Sequence, residues 1–121
     1  MNLSGKWKNT LNSSVTIIAN EDDGTLKGEY HTQVSSVNKP LPPVPFIGTW
    51  QKTYNGVLVS FSVQWKFEKN GQVKQSTTTW SGSGWDINPD KFETTWILTS
   101  FGSEENSWKN TTINKDIFTR L

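Results

Sequence analysis

Over most of the chain, hydrophobic and polar residues alternate one for one, and short turn signals interrupt the alternation. Val57, Val59, Phe61, Val63, Trp65 and Phe67 share one parity, and Leu58, Ser60, Ser62, Gln64 and Lys66 share the other. Successive side chains of a β-strand point to opposite faces, so this run is a strand with one buried face. Asn70-Gly71 follows it and reads as a tight hairpin, because both residues tolerate positive φ. Asp23-Gly24, between Ile17-Ile18-Ala19 and Leu26-Lys27-Gly28, reads the same way. Carried along the chain, the pattern predicts eight strands, at about residues 4–11, 14–19, 25–34, 46–53, 57–67, 75–84, 92–100 and 107–119. No stretch has a helical period. The expected fold is all-β: an eight-stranded antiparallel up-and-down β-barrel, which leaves no free edge, with a two-sheet sandwich as the alternative. Pro40, Pro42, Pro43 and Pro45 interrupt the pattern over Ser35 to Pro45. Proline cannot donate to a ladder, so this segment is expected to be a shaped loop or lid. There is no internal repeat, and one domain over residues 1–121 is expected.

Several polar residues sit on the buried parity. Asn9 follows Leu3, Gly5 and Trp7, with Leu11 beyond it. Tyr30 and Thr32 lie between Leu26 and Val34, and Ser13 leads Val15, Ile17 and Ala19. Ser76 and Thr78 precede Trp80, and Thr112, Asn114 and Asp116 precede Phe118. A buried polar group costs about 1–3 kcal/mol unless it is paired. One such residue is ordinary. Several strands each carrying one point to a polar pocket inside the barrel, or to a wet core. Eight strands enclose room for one small ligand.

Composition narrows the classes. Twelve basic and eleven acidic residues nearly cancel and are interspersed, which leaves no basic footprint for nucleic acid or an anionic membrane. No apolar run approaches the roughly 20 residues of a membrane span. With no cysteine and the single histidine His31, no disulfide, thiolate centre or histidine metal cluster is available. No signal peptide is visible, since patterned sequence starts at Leu3. The expectation is a secreted protein whose leader is not in this chain, with an intracellular location left open. Asn2-Leu3-Ser4, Asn12-Ser13-Ser14 and Asn110-Thr111-Thr112 are sequons, relevant to secretion by a eukaryote. Tryptophan is over-represented, with seven residues; these either pack a core or line a stacking surface for a flat ligand.

Leu3-Ser4-Gly5-Lys6-Trp7-Lys8-Asn9, Gly28-Glu29-Tyr30-His31-Thr32, Val63-Gln64-Trp65-Lys66, Ser76-Thr77-Thr78-Thr79-Trp80-Ser81-Gly82, Thr95-Trp96-Ile97-Leu98, Trp108-Lys109 and Asp116-Ile117-Phe118-Thr119-Arg120-Leu121 occur in that order. In order and spacing they resemble the avidin and streptavidin family of biotin-binding proteins over essentially the whole chain. A lone Gly-x-Trp would be weak evidence, because lipocalins share it. The resemblance implies a biotin site and no catalysis, with biotin as a bound ligand and not a cofactor.

By position, the resemblance assigns Asn9, Ser13 and Tyr30 as donors to the ureido oxygen, and Thr32 and Asp116 as acceptors from the ureido nitrogens. Thr78 would face the ring sulfur. Trp65, Trp80, Trp96 and Leu98 would wall the ring and tail. Ser36 and Ser76, with backbone near Val37 and Asn38, would meet the carboxylate. Trp108 would cap a neighbouring subunit's site in a homotetramer. Trp7 and Trp50 read as structural, Trp85 stays open, and His31 reads as a surface residue. The chain departs from the family in its proline-rich Ser35–Pro45 loop and in a Glu68–Gln75 segment about two residues longer than in streptavidin.

Three rival functions are weaker. A lipocalin-like carrier would want an apolar interior, against the Asn9, Ser13, Tyr30, Thr32 and Asp116 set. A carbohydrate-binding module would expose its tryptophans, whereas Trp65, Trp80 and Trp96 share the buried parity. A glycosidase would need two inward carboxylates. Glu21, Asp22, Asp23, Glu104 and Glu105 lie in turns, leaving Asp116 alone. No serine triad can be built on one outward histidine.

Overall fold

The computed structural model describes residues 1–32 and 42–121. Eight strands run β1 Gly5–Lys8, β2 Ser14–Ala19, β3 Thr25–His31, β4 Val44–Thr53, β5 Gly56–Lys69, β6 Gln72–Trp85, β7 Lys91–Ser100 and β8 Thr111–Arg120, with a 3₁₀ segment over Glu104–Lys109. Each strand pairs antiparallel with its sequence neighbours, and β8 returns to β1 to close the barrel. The seam is short: Trp7 opposes Arg120 and Lys8 opposes Thr119. This is the expected up-and-down barrel and excludes the sandwich.

Four boundaries differ from expectation, each for a local reason. The first strand ends at Lys8 and not near Leu11. The Asn9 side-chain oxygen accepts from the N–H of Leu11 (3.0 Å) and of Ser13 (2.9 Å), and Asn12 takes a φ of 65°, so the chain turns. β4 begins at Val44 and includes Pro45, which opposes Glu29 of β3. Proline is tolerated there because the β4–β5 pairing stops at Ile47–Ser62, so Pro45 has one neighbouring strand and no second ladder to break. The stretch Glu68–Gln75 is not a loop: β5 and β6 stay paired to Lys69–Gln72, around a turn in which Asn70 (φ 52°) and Gly71 (φ 76°) are both left-handed. The last strand begins at Thr111; the residues from Glu104 to Lys109 are 3₁₀ turns kinked at Asn106. The expected extension of β3 to residue 34 lies outside the described residues.

The inward parity builds the core. Val57, Val59, Phe61 and Val63 of β5 are buried with Trp7, Val15, Ile17, Leu26, Phe46, Phe92 and Phe118. Two glycines make room for rings on that face. A Cβ on Gly28 would lie 2.8 Å from the Phe46 ring and 1.8 Å from the Thr16 carbonyl, and one on Gly48 would lie 2.8 Å from the Phe61 Cβ.

One end of the barrel is plugged. The Arg120 guanidinium lies 4.1 Å from the Trp7 ring centroid and donates to the carbonyls of Ser4, Pro89 and Asn2 and to the Asp90 carboxylate. The Trp7 indole N–H donates to the Leu3 carbonyl at 2.8 Å. Trp50 is also a packing residue, its N–H held by the Asn20 carbonyl at 3.0 Å.

Candidate functional site

From the plug upward, aromatic rings touch in an unbroken series. Trp7 meets Phe92 (4.8 Å between centroids), Phe92 meets Phe118 (4.8 Å), Phe118 meets Phe61 (6.0 Å) and Phe61 stacks on Trp80 (4.9 Å). Trp80 stacks on Tyr30 (5.4 Å), Tyr30 meets Trp65 edge-on (5.2 Å), and Trp65 stacks on Phe67 (6.0 Å). Above Phe61 the rings no longer fill the barrel. They line a cavity of about 340 Å³ with Asn9, Leu11, Thr32, Ser76, Thr78, Trp96, Leu98 and Asp116.

Of the residues singled out in the sequence, Asn9, Tyr30, Thr32, Trp65, Ser76, Thr78, Trp80, Trp96, Leu98 and Asp116 thus meet around one space. Ser13 stands beside it, its side chain near the Tyr30 phenol. Ser36, Val37 and Asn38 lie outside the described residues. Trp108 does not line the cavity of its own chain: it sits on the 3₁₀ segment, 76% exposed, with the Lys109 ammonium 5.1 Å from its ring.

The polar groups are held in set orientations. The turn after β1 fixes the Asn9 side-chain oxygen on two backbone N–H groups, which turns its Nδ2 inward, where it donates to the Tyr30 hydroxyl at 2.7 Å. Burial pushes the Tyr30 phenol above its ordinary pKa of 10.0, and the Asp116 charge pushes the same way; hydrogen bonds with Ser13 and Asn9 act against them. The phenol therefore keeps its proton and remains a donor. Trp65 donates its indole N–H to the Thr78 oxygen at 2.8 Å, and the Thr78 hydroxyl proton has no acceptor among the described residues. Asp116 is buried, and its Oδ1 accepts from the Thr10 backbone N–H (3.0 Å) and the Thr10 hydroxyl (2.9 Å). Its Oδ2 has no partner among the described residues.

One further atom is unpaired. Among the described residues, the Trp80 indole N–H is the only buried side-chain polar atom without a hydrogen-bond partner. An orphaned N–H in a core costs about 1–3 kcal/mol. Here it belongs to a residue lining the cavity, which also holds a spare carboxylate oxygen, so the cavity matches a ligand carrying both donors and acceptors.

Some inward-parity expectations fail. Leu11 is 70% exposed and forms part of the rim, and Thr112 and Asn114 are exposed. The upper half of β8 pairs with β7 alone, because β1 reaches only Thr119 and Arg120, so parity there does not imply burial. Sequence reasoning also passed over Thr10 and Phe67 as site residues. Phe67 was signalled by the parity it shares with Trp65. Thr10 had no signal, being a turn residue whose role arises only when β8 closes on it. His31 is on the outer face, 3.7 Å from Glu29. Among the described residues no three potential metal ligands cluster, and no helix is long and apolar enough to cross a membrane.

The sequence and the fold can be set against known proteins. The solved structure of Xenavidin superimposes with a TM-score of 0.79 at 30% identity, covering 99% of this chain and 98% of that one. Avidin-related protein 4/5 of Gallus gallus is 32% identical over 122 residues, 98% of this chain and 77% of that protein. Avidin of Gallus gallus is 35% identical over 125 residues, 98% of this chain and 78% of that protein. The sequence model of the Avidin family matches residues 1–121, and this chain belongs to the avidin family.

Proposed function

We propose that this barrel binds biotin tightly and without catalysis, one molecule per chain. The observation that carries the reading is the meeting of Asn9, Tyr30 and Asp116 with Trp65, Trp80 and Trp96 around one cavity. Asn9 Nδ2, the Ser13 hydroxyl and the Tyr30 phenol converge as donors for the ureido oxygen, polarising it as an oxyanion hole polarises a carbonyl. Thr32 and Asp116 Oδ2 accept from the two ureido N–H groups. The Thr78 hydroxyl proton serves the thioether sulfur. The tryptophans, with Leu98 and Phe67, remove the ring and tail from water, and Ser76 and residues 36–38 receive the carboxylate. Asp116, the one buried acid among the described residues, serves the ligand as an acceptor.

The chain works as one domain, is secreted, and assembles as a homotetramer in which Trp108 closes a neighbour's site. An indole 76% exposed on a short turn favours burial by a partner. The barrel's outer face offers further apolar surface: Ile97 and Ile113 lie opposite one another and are 45% and 64% exposed.

Calorimetric titration with biotin tests the function: one site per chain is expected, with a large rise in Tm at saturation because the ligand binds only the folded state. No heat and no Tm shift would refute it. Light scattering of wild type and Trp108→Lys tests the assembly. A tetramer that weakens toward dimers and releases biotin faster is expected, whereas a wild-type monomer that binds tightly would exclude exchange of Trp108.

A further inference from the structure

We propose that Thr10 is a positioning residue that fixes Asp116 so that one carboxylate oxygen is presented to the ligand; this rests on the biotin reading above. Thr10 gives two donors to the same oxygen, Oδ1: its backbone N–H at 3.0 Å and its hydroxyl at 2.9 Å. The hydroxyl also accepts from the Ile117 backbone N–H at 3.3 Å, which settles where its proton points. On the other side the Thr94 hydroxyl donates to the Asp116 carbonyl at 3.0 Å. Asp116 is therefore held at its backbone and at one oxygen, and Oδ2 is the acceptor left over.

The placement of Thr10 matters as much as its bonds. It follows Asn9, whose own orientation is fixed by the same turn through Leu11 and Ser13. One five-residue turn, Asn9 to Ser13, thus sets donors for one side of a ureido group and, through Thr10, the acceptor for the other. A preorganised pair loses less on binding than groups that must first find their orientation.

The ordinary alternative is that Thr10 only ties the turn to β8, reinforcing a seam of two residue pairs. The two roles differ in what a mutation cycle reads. Thr10→Val keeps the shape and the backbone N–H but removes the hydroxyl donor. If Thr10 positions Asp116, Thr10→Val speeds biotin release about tenfold, the size of one hydrogen bond to a charged group. Thr10→Ser stays near wild type, and in the Asp116→Ala background Thr10→Val changes release by less than about twofold. An equal slowing or speeding in both backgrounds would overturn the proposal and leave the seam role.

A ligand-free measurement separates this inference from the biotin reading. The Asp116 carboxyl carbon chemical shift should move in Thr10→Val and return in Thr10→Ser. If it moves while wild type binds no biotin, the clamp stands and the functional reading fails. If it does not move, the clamp itself is refuted.

Discussion

The two halves of the barrel interior are built from the same aromatic series yet end in different chemistry. At the plugged end, Trp7 has its N–H on the Leu3 carbonyl, its face under Arg120 and its edge against Phe92. Among the described residues, no buried side-chain polar atom there is left over. Toward the mouth, Trp80 is nearly as buried, at 4%, and is stacked between Phe61 and Tyr30, but its N–H is unpaired and Asp116 beside the cavity keeps an oxygen in reserve. Burial and stacking therefore do not separate a packing tryptophan from a binding one. What differs is the hydrogen-bond ledger of the two ends, since a protein that leaves buried groups unpaired forgoes stability that a ligand can restore.

The largest effect should come from breaking the plugged end. Trp7→Ala should cost about 3–5 kcal/mol of stability in urea unfolding, through the cavity it leaves beneath Phe92. A loss below about 1 kcal/mol would show that the rings there are not close-packed.

The next effect belongs to the mouth and should appear in binding. Asp116→Ala should weaken biotin by about 3 kcal/mol, because it leaves a ureido N–H buried without an acceptor. Tyr30→Phe should cost about 1 kcal/mol, since Asn9 and Ser13 still hold the oxygen. Dissociation rates in the reverse order would invert the assigned polarity of the site.

A smaller effect sharpens the contrast directly. Trp80→Phe removes an N–H that has no partner, so ligand-free stability should change by less than about 1 kcal/mol. Trp7→Phe, the same substitution at the plugged end, strands the Leu3 carbonyl and should cost more. Equal losses at the two positions in chemical denaturation would erase the distinction drawn between them.

The smallest effect is a pH slope. The folded Tyr30 pKa lies above its unfolded value, so the stability it contributes is complete below about pH 10 and is lost as the pH rises through the folded value. Ligand-free wild type should therefore lose stability more steeply than Tyr30→Phe on the alkaline side. Parallel slopes would mean that Tyr30 does not titrate in a buried site.

Much of this was legible in the alternation itself. The parity that buries Val57, Val59, Phe61 and Val63 also carries Trp65 and Phe67 to the cavity wall, and Asn70-Gly71 turns where its backbone preference requires. Period-two patterning is a property of each strand alone, so strand count, inward faces and hairpins follow from sequence, as do the polar residues aimed inward, whereas the choice of barrel over sandwich rests on closure of β8 on β1. What only the tertiary structure decided is where that parity stops meaning burial and which polar atoms are already engaged. Thr112 and Asn114 keep the inward parity of β8 but stand exposed, because β1 is too short to cover them. Thr10 reaches Asp116 across 106 positions of chain, and Trp65 reaches Thr78 from the neighbouring strand. Such bonds exist only once the barrel has closed, and they determine which donors and acceptors remain free for a ligand.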